Sequence, residues 1–218
     1  MTTAKATEAE HHVGRPLDAS RDVALRQAAL ELLAEIGYDR LTIDSVASRA
    51  RASKTTIYRR WSGKAELVVD ALNGLKGNAP VPDTGSLRGD LEAIVHGSTN
   101  TDTPIDAQLV IGLITALAHD GELRHVVRER LIDPDKARLK QVFERAVARG
   151  EVAEDRNLDL LVSLFPALAI QHVLIFGEFP DAQFAEQVMH DVILPLATAP
   201  PGVANGSSSA RQVLQHET

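Results

Sequence analysis

The sequence predicts an all-α chain, with a small N-terminal unit of three helices containing a helix-turn-helix and a larger helical unit after it. Three observations carry this. Apolar residues recur at three- and four-residue spacings in one window after another. Glycine, proline and capping hydroxyls or carboxylates separate those windows, and none reads as a convincing strand. The 218 residues suffice for one small domain and one sizeable helical core. There is no cysteine, which excludes disulfides and thiolate-held metals. No signal peptide or membrane-length opening segment is read at the start, so a cytoplasmic location is the expectation.

Residues 1–17 are polar and without period, and are expected to form a flexible arm. Within the arm, Gly14-Arg15-Pro16 suits either an extended element that places the Arg15 guanidinium in a minor groove or an ordinary turn before a helix. The first helix is expected over about 20–36. Leu25, Ala28, Ala29, Leu32, Leu33 and Ile36 share one face of it, and Gly37 is its stop.

Residues 42–64, TIDSVASRARASKTTIYRRWSGK, read as two short helices joined by a tight turn. Thr42 is placed to cap the first, in which Ile43, Val46, Ala47 and Ala50 form an apolar face. Arg51 and Ala52 make the turn, and Ser53 caps the second helix, which begins at Lys54. Only Ile57 and Trp61 point inward from it, whereas Lys54, Thr55, Thr56, Tyr58, Arg59 and Arg60 offer hydrogen bonds or charge. Six basic residues lie between Arg49 and Lys64, with no acidic one among them. A basic run is most often a solvated face, but here it coincides with a capped two-helix turn. That combination fits the DNA major groove, where Arg and Lys reach guanine edges or phosphates and Thr meets a thymine methyl. A fourth helix follows the Ser62-Gly63-Lys64 corner, with Leu67, Val68, Ala71, Leu72 and Leu75 inward.

A Pro/Gly-rich change of composition at 77–85 sets the expected boundary between a domain at 18–76 and another at 77–198. Beyond it, one helix carries Leu87, Leu91, Ile94 and Val95. A second is announced by Thr103-Pro104-Ile105-Asp106 and runs through Leu109, Val110, Leu113, Ile114 and Leu117 to an Asp120-Gly121 turn. A short helix over about 123–131 precedes Asp133-Pro134, read as the cap and start of a longer one carrying Leu139, Val142, Phe143, Ala146 and Val147 to Gly150. The segment 158–176 is apolar nearly all round, so burial on more than one side is expected. Its length barely crosses a bilayer and includes Pro166, Gln171 and His172, which makes a membrane span the poorer reading. Proline at 166 is expected to kink it. An amphipathic helix follows at about 181–196, and 199–218 has the composition of a disordered tail.

The pattern of Leu25 to Gly37, Thr42, Val46, Ala47, Ala50, Ser53, Ile57, Tyr58, Trp61, Lys64 and Leu67 resembles the helix-turn-helix of the tetracycline-repressor (TetR) family of bacterial regulators. The resemblance is close over 20–72 and extends beyond only in helix order and length. Two positions depart from it: Arg51 and Trp61 stand where many members have Gly and Phe, and a left-handed Arg51 would carry strain that glycine avoids. The resemblance implies a homodimer paired through 158–198 as a four-helix interface. It would set two recognition helices in successive major grooves of a palindromic operator, about 34 to 36 Å apart. Base reading is then expected of Lys54, Thr55, Thr56 and Tyr58 or Arg59, and backbone anchoring of Thr42, Arg51, Ser53, Tyr58 and Lys64. Ligand-released repression is the family's common mode. Activation, or ligand binding without DNA binding, are the alternatives.

The second domain is then expected to hold a small-molecule effector among Leu91, Val95, Leu109, Leu113, Leu117, Phe143, Leu164 and Leu168, with His96, Gln108, Gln171 and His172 as polar contacts and His119 as a further candidate. It has no Trp or Tyr, which suits an apolar or amphiphilic effector. No catalytic residues, metal site or cofactor are expected: His119 and His125 do not clearly share a face, and no His-Glu-x-x-His or nucleophile motif occurs. The net charge of −7 divides as 12 basic against 10 acidic residues over 1–76 and 11 against 20 over 77–218. A local cationic strip can therefore bind phosphate while a distant acidic body opposes nonspecific binding.

Overall fold

A computed structural model of the protein describes residues 19–75, 80–99 and 106–200, all of them helix, turn or irregular chain. The expected arm with Arg15, the Thr103–Ile105 part of the capping signature and most of the expected tail lie outside the described residues. Helix α1 spans Ala19–Arg40, α2 Ile43–Arg49, α3 Lys54–Tyr58 and α4 Lys64–Leu75. Then come α5 at Leu87–Thr99, α6 at Ala107–His119, α7 at Gly121–Val127 and α8 at Asp133–Ala148. The chain ends with α9 at Leu158–Phe176, α10 at Ala182–Gln187 and α11 at Leu194–Thr198.

Regular helical geometry ends at Gly37, as expected. That residue breaks the helical path (φ 76°, ψ 167°), and the chain then makes one more turn to Arg40. Tyr38 in this extra turn and Leu41 just after it are both buried in the core. Two longer-range differences share a cause. The Asp133-Pro134 pair was expected to cap and open α8, yet Asp133 is helical and makes no side-chain cap. A π turn at Arg128–Ile132 links α7 to α8 instead, the Asp133 N–H donating to the Arg128 carbonyl five residues back. The helix expected at 181–196 has the same construction: a π turn at Val188–Ile193, the Leu194 N–H bonded to the Met189 carbonyl, then Pro195. A proline lacks an N–H and crowds the preceding turn, and a locally widened turn relieves both problems without ending the helix. Helix α9 continues through Pro166.

Two apolar cores organise the molecule. One joins α1 to α4 with Leu109, Leu113, Ala116, Leu123, Val126 and Val127 of α6 and α7. The other joins Leu87 and Leu91 of α5 with Val142 and Phe143 of α8, Leu161 and Val162 of α9, and Val188, Met189 and Ile193 from the last helical segment. The connection at 80–86 is clasped by Asp90, whose fully buried carboxylate accepts from the Thr84 N–H at 2.6 Å and its hydroxyl at 2.8 Å. Arg149 lies 3.6 Å from the same carboxylate. A side chain at Gly89 would collide with the Thr84 hydroxyl, 2.5 Å from a Cβ there, so the clasp needs glycine at that place.

Helix α9 departs most from expectation. Within one chain it buries only Leu161, Val162 and Val173, and leaves Leu160, Ile170, Leu174, Ile175 and Phe176 exposed, the last two by 66% and 63%. Burial on several sides is therefore not achieved by this chain alone, because its other elements cover one side of the helix. By length and composition α9 could cross a membrane, with a mean hydropathy of 1.9.

Candidate nucleic-acid interface

Caps fix the helix-turn-helix. The Ser45 N–H donates to the Thr42 hydroxyl at 3.1 Å and the Thr42 N–H to the Ser45 hydroxyl at 3.1 Å, a reciprocal box that starts α2. At the start of α3 the Thr56 N–H donates to the Ser53 hydroxyl at 3.2 Å. The turn between them contains Arg51 at φ 49°, the one non-glycine residue with positive φ among those described. It has the left-handed conformation that glycine adopts without strain. Behind α3, Ile57 and Trp61 are buried, and the Trp61 indole donates to Asp70 at 3.0 Å. The same Asp70 oxygen accepts from Arg26 of α1 at 2.8 Å, so both inward residues of the recognition segment rest on a fixed wall.

Not all six basic residues face outward freely. Arg49 forks onto Glu35 at 2.9 and 2.7 Å, and onto Glu31 at 3.3 Å. The fork holds the Glu35 carboxyl below the usual carboxylate range. Arg60 reaches Asp22 at 2.6 Å and is largely buried. These two cations tie the helix-turn-helix to α1, which lies far from them in sequence. Lys54 meets Asp44 of α2 at 2.8 Å, but both side chains are mostly exposed, so water and salt compete with the pair.

The outward surface comprises Arg51, Ser53, Lys54, Thr55, Tyr58 and Arg59, all exposed, with exposed Thr42 at the start of α2. Thr56, expected as a base reader, is half-buried, and its hydroxyl sits 2.9 Å from that of Ser53, so it serves the cap rather than the outer surface. Lys64 is also half-buried. Its ammonium donates to the Tyr38 carbonyl at 3.0 Å and lies 4.0 Å from the centre of the Tyr38 ring. Sequence reasoning missed Tyr38, Asp44 and Asp70. The ring following a helix-stopping glycine was the one available signal, since the Lys64 partnership spans 26 residues.

The expected effector residues do not come together in one place. Leu109, Leu113 and Leu117 pack with the first core; Leu91, Val95, Phe143, Leu164 and Leu168 pack with the second. His96, Gln108 and Gln171 are exposed rather than turned into either core, and His119 reaches Asp39 of α1 at 3.0 Å. His172 borders an open cleft of about 470 Å³ formed also by Glu178, Phe179, Asp181, Gln183, Phe184 and Gln187. Its imidazole lies 4.7 Å from the Phe176 ring and 4.9 Å from that of Phe184. Phe184 packs against the second core, while the other cleft residues, His172 apart, escaped the sequence reading because they are mostly polar and lie in and beyond the turn that ends α9.

A capped helix-turn-helix with an exposed cationic and hydroxyl surface, set on a larger helical body, defines a helix-turn-helix transcriptional regulator. Family comparison assigns it further. Residues 25–71 match the profile of bacterial regulatory proteins of the tetR family, and residues 81–192 match the tetracyclin repressor-like C-terminal domain. The chain belongs to the TetR family. It is 39% identical over 179 residues to the DNA-binding transcriptional repressor TetR of Mycobacteroides abscessus, covering 81% of this chain and 94% of that one. An uncharacterised HTH-type transcriptional regulator of Mycobacterium tuberculosis is 38% identical over 197 residues, with 86% and 95% covered. Among solved structures, the TetR family transcription regulator SCO0332 superposes with a TM-score of 0.58 at 26% identity, covering 82% of this chain and 95% of that one.

Proposed function

We propose that this regulator is a homodimeric repressor that binds a palindromic operator and is released by an apolar or amphiphilic small molecule. The observation that carries the DNA half is the outward surface of α3 and its entry turn. Arg51, Ser53, Lys54, Thr55, Tyr58 and Arg59 are exposed together over the buried anchors Ile57 and Trp61. A helix held from behind presents its polar side chains at a fixed angle, which reading base edges requires. Lys54, Thr55 and Arg59 are assigned to bases, Thr42, Arg51, Ser53 and Lys64 to the backbone, and Tyr58 to either. Arg15 would enter the adjacent minor groove.

Pairing through 158–198 is supported by the exposed apolar residues Leu160, Ile170, Leu174, Ile175 and Phe176 on α9, with Leu196 of α11 exposed as well. A second copy would cover these residues with its own, and an aqueous regulator gives them no other apolar neighbour. We place the DNA-binding unit at 18–76, the effector and dimerisation unit at 77–198, and the protein in the cytoplasm with its DNA. The effector is proposed to bind between α6, which belongs to the first core, and the α5, α8 and α9 side chains of the second. Bound there, it would shift α6 and, through the shared core, the recognition helices. Selection of random duplexes by the purified full-length chain, followed by sequencing, tests the reading. An enriched palindrome is expected, and the absence of any enriched sequence would contradict it.

A further inference from the structure

Lys64 opens α4, at the positive end of the helix dipole. A lysine at such a place ordinarily carries a long, freely rotating stem. Here the stem is half-buried and its ammonium is held twice by one residue. The Tyr38 carbonyl accepts one of its protons at 3.0 Å, and the Tyr38 ring lies beneath it at 4.0 Å, within cation–π range. Tyr38 is itself held in place. The Gly37 break sets its backbone, and its ring is buried. Burial, with the nearby carboxylates of Asp120 and Glu122, pushes its hydroxyl well above the ordinary phenol range, so the ring stays neutral. The corner between α6 and α7 closes over the same place: His119 reaches Asp39 at 3.0 Å, and a carboxylate oxygen of Glu122 lies 3.6 Å from where a Gly63 side chain would begin. An ammonium has three protons, and with one given to the carbonyl and the charge set over the ring it still has donor capacity for an outside acceptor.

From this geometry we infer that Tyr38 is a positioning residue for DNA-backbone binding: it pre-orders the Lys64 ammonium, through its ring and its carbonyl, toward one operator phosphate. The inference rests on the operator-binding reading above. Ordering the cation before contact removes the rotamer entropy that a lysine otherwise loses on reaching a phosphate. Tyr38 itself touches no DNA and acts only through Lys64.

The test measures affinity for the selected operator against salt concentration, using full-length wild type, Lys64→Ala, Tyr38→Leu, Tyr38→Phe and the Lys64→Ala/Tyr38→Leu double variant. Lys64→Ala is expected to reduce the slope of log affinity against log salt by about 0.9, one phosphate contact. Tyr38→Leu is expected to move most of the way to the same value, the double variant no further than Lys64→Ala, and Tyr38→Phe not at all. A purely structural Tyr38 would lower thermal stability but leave the slope unchanged. A Tyr38→Leu slope equal to wild type, or a double variant losing the sum of both effects, overturns the inference. Should Tyr38→Leu fail to fold, the wild-type proton spectrum decides. The Lys64 ε-methylene protons are expected upfield by the ring current of Tyr38, and ordinary lysine shifts there overturn the inference. A wild type that binds operator and random duplex alike defeats the operator reading itself and this inference with it, an outcome separate from the previous two.

Discussion

Arg51 concentrates the local energetics of the turn. Its left-handed backbone costs about 1 to 2 kcal/mol relative to a residue free of a Cβ. Arg51→Gly is therefore expected to raise folding stability by about 1 kcal/mol in denaturant titration, while weakening DNA binding by removing a cation. A destabilised Arg51→Gly protein would show that the strain is not stored there. A second residue-scale expectation concerns Glu66. The Ser62 N–H at 2.7 Å, and then Arg130 at 2.5 Å, hold its carboxyl below the ordinary value of 4.5. A depressed carboxylate contributes stability above its unfolded pKa and loses it as pH falls through the folded one. Wild type should thus lose more stability than Glu66→Gln as the pH drops below 4.5. Parallel acid limbs for the two proteins would contradict this. Caps such as Thr42, Ser53 and Asp106 were legible in the sequence because a cap is a bond between near neighbours. The Arg49 to Glu35 and Arg60 to Asp22 pairs were not, since each depends on how two helices cross.

At the scale of elements, the apolar period fixed the helices well and their junctions poorly. Proline 134 read as a helix start and proline 195 as part of one regular helix, and the chain instead runs into both through π turns. Periodicity cannot register that choice, because one extra residue in a turn shifts the stripe only slightly. The division of labour within the helix-turn-helix leads to a direct comparison. Substituting Thr55, exposed in the middle of α3, should change which operator sequence is preferred, by about 1 kcal/mol per altered base pair. Lys64→Ala at the head of α4 should instead weaken all duplexes alike. Equal losses on operator and random DNA from both changes would remove the distinction between reading and anchoring. The first core ties this element scale to the next, since α6 and α7 pack with α1 and α4 while belonging in sequence to the second unit.

For the whole molecule, the exposed stripe on α9 is the feature that one chain cannot explain. Its apolar character was plain in the sequence; which side would remain uncovered was not, because that depends on where α5, α8 and the last helical segment settle. Ile175→Lys sets a charge among the exposed residues at the C-terminal end of the stripe and touches neither core. It is expected to leave the chain folded but monomeric in sedimentation, and to weaken operator binding by the loss of a paired second half-site. An unchanged dimer would move the pairing surface elsewhere. The effector site was the least legible part. Its aliphatic candidates were readable as apolar positions, but they divide between two cores, and the cleft beside His172 is built mostly from polar residues that, Phe184 apart, belong to no apolar stripe. The most direct measurement is the mass, by sedimentation, of the wild-type protein on its selected duplex and on a single half-site. Two chains per palindrome, with much weaker binding to the half-site, is the predicted result. One chain per duplex with equal affinity for both would contradict a twofold reader built from α3 and paired through α9.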